Sequence, residues 1–383
     1  MKLGLSRSAA PVGLAVTGAR VRAAGPGAVE AGAARDRPGD VLWSPGFFLR
    51  YTTQQVTTMK IKPGVPAPGM KNRMGPTFDE RRGVEYRHLR AASLVNRLNA
   101  RPMPFGWTAN PYRGCEMACR YCFARYTHEF LGHNESEAFE RRIYVKLTDP
   151  GSLVAELKRA RRSGLLVALG TATDPYQPAE SKFEVTRRVL EGAVKVPGVR
   201  LSITTKSTLV RRDLVLLQEI AARSEIAVNF SITTLDEALA RRLEPRAPRP
   251  DLRFEAMRAL AAGGILTRLF IMPVLPRLTD GETNLRALLV RAREAGAQIA
   301  ESNVLFLRPG TRETFFEFLR AEFPELVPEY ERLYAGSAYA RRDYVGEVEA
   351  RVRRLSAEVG FAARRRDDRP VDTPSPRQLA LVW

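Results

Sequence analysis

Short apolar runs separated by amphipathic stretches set the pattern of this chain from Trp107 onward. Leu165–Leu169 is wholly apolar and closed by Gly170, the form of a strand buried on both faces. Leu201–Thr205, Ile226–Ile232, Leu266–Val274 and Ser302–Leu307 are further strand candidates, and Phe105–Ala109 precedes them. Between them, apolar residues recur at helical spacing. Ser152 stands where it can cap a helix with the apolar side Leu153, Val154, Leu157 and Ala160. Asp213 can cap one with Leu214, Leu217, Ile220 and Ala221. Asn284 can cap one with Leu285, Leu288, Leu289 and Ala292 that stops at Gly296. Six strand-like runs alternating with helices predict a parallel βα-repeat of the α/β class. An open barrel and a doubly wound sheet both satisfy this order.

The ends of the chain read differently. Beyond Arg308-Pro309-Gly310 the pattern predicts helices over Thr314–Phe323, Leu326–Tyr334 and Tyr344–Val359, then a polar, Pro-rich loose tail over 361–377. Residues 1–58 are rich in Gly, Ala, Pro and Arg without periodicity and read as a disordered extension. Ala9–Ala19 behind Lys2 and Arg7 is a weak alternative, a signal peptide diluted by glycine, and Met59 is an alternative first residue. The expected divisions are 1–58, a lead-in segment 59–100, the βα-repeat 101–310 and a helical extension with tail 311–383. No apolar run approaches the ~20 residues that cross a bilayer, so the expectation is a cytoplasmic protein without a membrane partner.

Charge changes the picture in one respect. With 61 basic and 42 acidic residues the net charge is +19. Arginine pairs such as Arg161–Arg162, Arg187–Arg188, Arg211–Arg212 and Arg241–Arg242 recur beside the helices. Solvated helix faces and a polyanionic partner, nucleic acid foremost, both account for them.

Cysteine changes it more. The chain holds three, all within Asn110-Pro-Tyr-Arg-Gly-Cys115-Glu-Met-Ala-Cys119-Arg-Tyr-Cys122-Phe-Ala-Arg. Three thiols cannot pair off, and this spacing is too tight for a disulfide framework. Soft thiolates suit iron–sulfur clusters and zinc. A structural zinc needs a fourth protein ligand, for which His128 or His133 is near in sequence. A cuboidal cluster on three cysteines instead leaves one iron open to a small molecule.

Cys-x3-Cys-x2-Cys, with Tyr121 before the third cysteine, resembles the radical S-adenosylmethionine (SAM) superfamily. A closer resemblance spans roughly residues 95–335. Asn110-x-Tyr112-Arg113-Gly114-Cys115, Tyr121-Cys122-Phe123-Ala124-Arg125, Thr127-His128, Gly170-Thr-x-Thr173-Asp174-Pro175-Tyr176-Gln177, Thr205-Lys206-Ser207 and Pro276-x-Leu278-Thr279-Asp280 are similar to a bacterial family related to spore photoproduct lyase, the DNA repair photolyase-like radical SAM proteins. The resemblance implies a partial (βα)6 TIM-type barrel with a 4Fe–4S cluster on Cys115, Cys119 and Cys122 at the C-terminal mouth. It further implies reductive cleavage of SAM to a 5′-deoxyadenosyl radical that abstracts hydrogen, and an electron donor such as flavodoxin or ferredoxin.

The same resemblance points to further residues. Thr173 and Asp174 are expected at the methionine end of SAM, with an ordinary capped turn as the alternative. Lys206, ending the third strand in a chain with nine lysines, is expected at the SAM carboxylate. Asn229 and Ser231 share one strand face and are expected to point into one cavity with SAM. Tyr176, Gln177 and Glu180 are candidates to face the substrate. Arg113 and Arg125 flank the cluster; they are candidates for a substrate phosphate or for a salt bridge to a carboxylate such as Glu129. His128 is a candidate for a proton role or a structural one. The chain departs from spore photoproduct lyase in having Thr171 where a cysteine hydrogen donor is expected and Phe123 where a tyrosine is. Met117 stands where many relatives carry histidine. The Thr171 and Phe123 departures argue against repair of the spore photoproduct itself, while Met117 bears on the cluster potential without changing the reaction class. The functional expectation is a radical SAM enzyme, with nucleic acid as candidate substrate. The alternatives are a radical SAM enzyme acting on a peptide or small metabolite, and a non-catalytic metal-cluster nucleic-acid-binding protein.

Overall fold

Strands buried on both faces pair with one another, and the apolar runs do so in a parallel sheet. A computed structural model describes residues 65–361 apart from 68, 99–102, 134 and 136, all within one compact unit, Val41–Trp383. The expectations for residues 1–58, for Met59 and for the tail beyond 361 lie outside the described residues. The strands are β1 (Met74–Arg81), β2 (Val84–Arg90), β3 (Val95–Arg97), β4 (Trp107–Ala109), β5 (Tyr112–Arg113), β6 (Arg142–Leu147), β7 (Val167–Leu169), β8 (Arg200–Thr205), β9 (Glu225–Ser231), β10 (Leu266–Val274) and β11 (Ile299–Val304). The helices are α1 (Ala138–Arg141), α2 (Pro150–Arg162), α3 (Glu180–Phe183), α4 (Val185–Val194), α5 (Leu214–Ala221), α6 (Glu237–Leu243), α7 (Pro250–Ala262), α8 (Glu282–Glu294), α9 (Thr311–Glu322), α10 (Val327–Leu333) and α11 (Arg342–Glu358).

Six strands run parallel in the order β4-β7-β8-β9-β10-β11, with β3 antiparallel on the β4 edge. Each lies beside its predecessor in that series, and the order never reverses. Crossovers of one hand then keep the helices on one side, so the sheet curls. This decides between the two architectures left open by periodicity: the fold is a partial (βα)6 barrel, not a doubly wound sheet. Val167, Leu169, Leu201, Ile203, Val228, Phe230, Leu269 and Ile271 pack with the helices in one core. The other face carries Ser202, Thr204, Asn229 and Ser231, with a small apolar group of Phe105, Leu166, Ala168 and Phe270.

Three caps differ from expectation. Asp149, not Ser152, caps α2; its carboxylate accepts from the Ser152 N–H, and Pro150 starts the helix. Asp213 makes no cap bond and is buried between Arg187 and Arg212. Asn284 lies inside α8, which begins at Glu282, and donates to the Thr233 and Thr279 carbonyls.

The lead-in segment contributes more than a connection. β1 and β2 form a hairpin, β2 pairs in parallel with β6, and β6 pairs with the short β5 to give a second, four-stranded sheet. At the other end, α11 closes over the barrel: Tyr344 Oη donates to Asp280 at 2.6 Å and Arg351 to the Asp280 carbonyl at 2.8 Å.

Within the second sheet Lys146 is buried, and burial pulls its ammonium down to about 7, with the Arg113 charge adding to the effect. In the unfolded chain it titrates near ~10.4. Between these values the unfolded chain binds more protons, so the lysine's contribution improves as pH rises and is most unfavourable below about 7. Lys146→Met should therefore be more stable than the parent near pH 6. The gain should shrink by the order of a few kcal/mol as pH rises through the window. Chemical denaturation of both chains across a pH series measures the gap, and a pH-independent gap would exclude this account.

Candidate active site

The cysteine loop leaves the barrel after β4 and is fastened at every turn. Asn110 Oδ1 accepts from the Ala172 N–H at 2.8 Å and its Nδ2 donates to Thr171 Oγ1 at 3.0 Å. Gly114 has φ +83°, and a Cβ there would lie 2.8 Å from the Phe139 carbonyl oxygen and 2.9 Å from that of Arg142; only glycine fits. The Cys115 N–H donates to Phe139 at 2.9 Å and the Arg120 N–H to Leu243 at 2.9 Å. Arg125 donates to the Cys119 carbonyl at 3.1 Å, and Thr311 Oγ1 to that of Cys122 at 2.9 Å.

The donor set fits an iron–sulfur cluster. Cys115 and Cys119 are buried and Cys122 half-buried. Burial pushes all three thiols up, Cys119 to about 12. Thiolates are stable here only against the positive charge that a metal supplies. No group of three His, Cys, Asp or Glu side chains among the described residues is placed to hold one metal ion. A cuboidal cluster does not require such convergence, because each cysteine binds its own iron.

The ends of β7, β8 and β9 meet this loop. Gly170 follows β7 with φ +90°, and a Cβ there would meet the Pro175 ring at 2.6 Å and the Thr204 carbonyl at 2.7 Å. Thr173 Oγ1 donates to the Gly114 carbonyl at 2.6 Å. Asp174 accepts from the Tyr176 N–H at 2.9 Å, Thr205 Oγ1 at 2.7 Å and the Lys206 N–H at 2.7 Å. Both residues hold the turn and the loop together, so the capped-turn alternative describes Asp174 as it stands. Lys206 Nζ donates to Ser231 Oγ at 2.6 Å and lies 5.6 Å from the centroid of the Tyr121 ring. Ser231 Oγ donates to the Met272 carbonyl at 2.9 Å. Asn229 Nδ2 donates to Ser202 and Thr204, and its buried Oδ1 has no partner.

Other expected residues lie in supporting positions. Gln177 is buried; it donates to the Gly114 carbonyl and Thr173 and accepts from the Glu116 N–H. Glu180, fully buried, accepts from Tyr112 Oη and from Arg212. Tyr176 is buried beside them. All three are enclosed in the network behind the turn, where the expectation has them face a substrate. Arg125 is buried in an ion pair with Glu140 at 2.6 Å, not with Glu129, so it is not available to a phosphate. Arg113 donates to the Thr127 carbonyl at 3.3 Å, and burial pulls its guanidinium down. His128 bonds the Arg142 carbonyl at 2.9 Å through Nε2, its buried Nδ1 has no partner, and burial pulls the ring down to about 3.

Sequence reasoning missed Glu244 and Arg253. Glu244 ends α6, accepts from Tyr121 Oη and Arg253 Nη2, and stands 3.8 Å from Lys206 Nζ. Burial pushes its carboxyl up, but the charges of Arg253 and Lys206, with the two hydrogen bonds, hold it below the ordinary range. Two surface hollows, of about 690 and 470 Å³, lie elsewhere, along α8 and between residues 208–214 and α7. The site is identified by its side chains rather than by hollow size.

The family model described as the Radical SAM superfamily matches residues 109–289. An uncharacterized protein of Mycobacterium tuberculosis is 38% identical over 322 residues, covering 84% of this chain and 92% of its own. An uncharacterized protein of Methanocaldococcus jannaschii is 31% identical over 176 residues, covering 46% and 63%. Among solved structures, spore photoproduct lyase complexed with dinucleoside spore photoproduct superposes with a TM-score of 0.57 at 16% identity, covering 71% of this chain and 79% of that one. At that identity the likeness concerns the fold.

Anaerobically reconstituted protein should carry about four irons and four sulfides per chain. Replacing Cys115, Cys119 or Cys122 by Ala should each abolish stable cluster binding, read as iron, sulfide and visible absorbance. Stoichiometric zinc without sulfide in anaerobically purified protein would overturn the cluster reading.

Proposed function

This chain belongs to the radical SAM superfamily, and from that premise we propose that it cleaves SAM at a cluster held by Cys115, Cys119 and Cys122 to abstract hydrogen from a nucleic acid. It is an enzyme of SAM-dependent radical chemistry. When bound, the cluster and SAM supply one-electron reductive cleavage to methionine and a 5′-deoxyadenosyl radical. The observation that carries the reading is the Lys206 ammonium at the strand mouth, 2.6 Å from Ser231 Oγ and facing the ring of Tyr121 in the cysteine loop. Lys206 and Ser231 bind the carboxylate of SAM. Asn229 offers its unpartnered Oδ1 on the same strand face to a donor of the cofactor. Thr173 and Asp174 act one step back, holding the loop and the Lys206 backbone in place. The reductant is a small electron carrier of the flavodoxin or ferredoxin kind.

Three observations support a nucleic-acid substrate. The chain carries +19. Arg242 and Arg249 are committed to Glu322 and to Glu237 and Asp251. Arg120 and Arg246, whose backbones are bonded across the contact between the cysteine loop and the end of α6, make no ion pair among the described residues. Phe123, Phe306 and Tyr339 form a half-buried aromatic series beside Cys122, with ring centroids 5.2 and 5.9 Å apart, of the kind on which bases stack. No helix among the described residues is long and apolar enough to cross a membrane.

With dithionite, the holoprotein should convert SAM to 5′-deoxyadenosine and methionine, slowly even without substrate. Lys206→Ala should weaken SAM binding by about tenfold or more while keeping its iron; unchanged affinity would remove Lys206 from the site.

Binding of single-stranded, duplex and structured nucleic acids across a salt series tests the substrate. Arg120→Ala with Arg246→Ala should lower the log–log slope on duplex DNA by about 1.8 if each meets one phosphate. The matching nucleic acid should stimulate deoxyadenosine formation. No binding at low salt, or binding without effect on SAM cleavage, would favour a peptide or small metabolite.

A further inference from the structure

Two cations converge on Ser231. Lys206 Nζ donates to its Oγ at 2.6 Å, and Arg253 Nη1 donates to its carbonyl at 3.0 Å. Arg253 is 1% exposed and Glu244 2% exposed. Like charges this close repel strongly where water is excluded. Glu244 is the carboxylate that forms an ion pair with both. Its other contact is the hydroxyl of Tyr121, between Cys119 and Cys122. Two backbone bonds seal the same junction, from Arg120 N–H to Leu243 and from Arg246 N–H to Met117.

We infer that Glu244 is a positioning residue of the cofactor site: from the end of α6 it holds the Tyr121 hydroxyl and the Lys206 ammonium in one frame, with Arg253 as its counter-charge. The inference rests on the reading of Lys206 as a SAM ligand. A buried ion pair adds little net stability over apolar residues of the same volume, so a stability role alone explains the pair poorly. The geometry explains it better. The charges of Lys206, Arg253 and Glu244 sum to a single positive charge. At 3.8 Å, Glu244 holds the lysine without engaging all three of its N–H groups, and those left over are free for an anion. Without Glu244, the lysine would lose the carboxylate that holds it at Ser231, and Tyr121 would lose its acceptor.

The test uses the anaerobically reconstituted holoprotein, with SAM affinity by equilibrium dialysis and the electron paramagnetic resonance spectrum of the reduced cluster with and without SAM. Glu244→Gln combined with Arg253→Met removes the pair without leaving a buried charge. It should retain iron, weaken SAM binding by about tenfold or more, and blunt the spectral change. Adding Lys206→Ala to it should then cost much less affinity than in the parent chain, because the lysine no longer has the carboxylate that positions it. Parental SAM affinity together with a full Lys206→Ala effect would show a merely structural pair and overturn the inference. If the double variant loses its cluster, Tyr121→Phe decides alone, since it removes one hydroxyl and no charge. A loss of about threefold or more with an altered spectrum supports the inference, and parental values overturn it. A parent chain whose cluster signal does not respond to SAM would instead bring down the SAM reading, and the inference with it.

Discussion

The carbonyl oxygen of Gly114 joins the cysteine loop to the barrel, and the rest of the site depends on that junction. It accepts from Thr173 Oγ1 at 2.6 Å and from Gln177 Nε2 at 3.1 Å. Gln177 returns an acceptor to the Glu116 N–H at 2.9 Å, and Glu116 returns one to the Ala179 N–H at 2.8 Å. Two irregular segments thus satisfy each other's buried polar groups, which neither can do alone. Removing any member strands a donor or acceptor out of reach of water. The run Gly170–Gln177 therefore serves as scaffold. It sets where Cys115 stands relative to the strand ends, and Thr173 and Asp174 are engaged in holding it there.

A loop with so little regular structure needs support from more than one side. The second sheet gives it through β5 and through Tyr86, whose hydroxyl donates to Glu116 at 3.1 Å. The C-terminal helices give it through Thr311 on the Cys122 carbonyl. α6 gives it through Leu243 and Glu244. A barrel of six strands rather than eight leaves room for these additions, because its two edges need not meet. The pieces outside the repeat are thus parts of the site.

The repeat was legible because its strands are buried on both faces and read as near-continuous apolar runs. Leu266–Val274 matches β10, whereas Ser302–Leu307 sits three residues late of β11. The order of parallel strands needed coordinates, since periodicity does not say which strands touch. The caps were misread where a second polar residue competed: Pro150 can start a helix, which makes Asp149 the cap in place of Ser152. Cys115, Cys119 and Cys122 stood out by spacing and residue type, and Lys206 and Ser231 by the resemblance; the structure brings Lys206 and Ser231 within 2.6 Å of each other. Glu244 and Arg253 were not. In sequence they belong to Arg241-Arg242-Leu243-Glu244 and Arg249-Pro250-Asp251-Leu252-Arg253, which read as solvated helix faces, and a buried charged pair leaves no local mark of its burial. β5 was invisible for another reason: two residues carry no period.

Charge shows why location matters more than composition. Ion pairing redistributes charge without cancelling an excess: 61 basic residues against 42 acidic ones leave 19 that no carboxylate of the chain can neutralise one for one. Arg125 with Glu140 and Arg253 with Glu244 are internally neutral pairs and remove nothing from that excess. Exposed charge more than about 10 Å from the mouth is screened at ordinary salt. Arginines on distant helix faces therefore steer a polyanion weakly, however many there are. Arg120 and Arg246 differ because the backbone bonds between the cysteine loop and the end of α6 fix their main chains at that junction. Charge carried at that junction would weigh on an anionic substrate more than the net charge of the chain does.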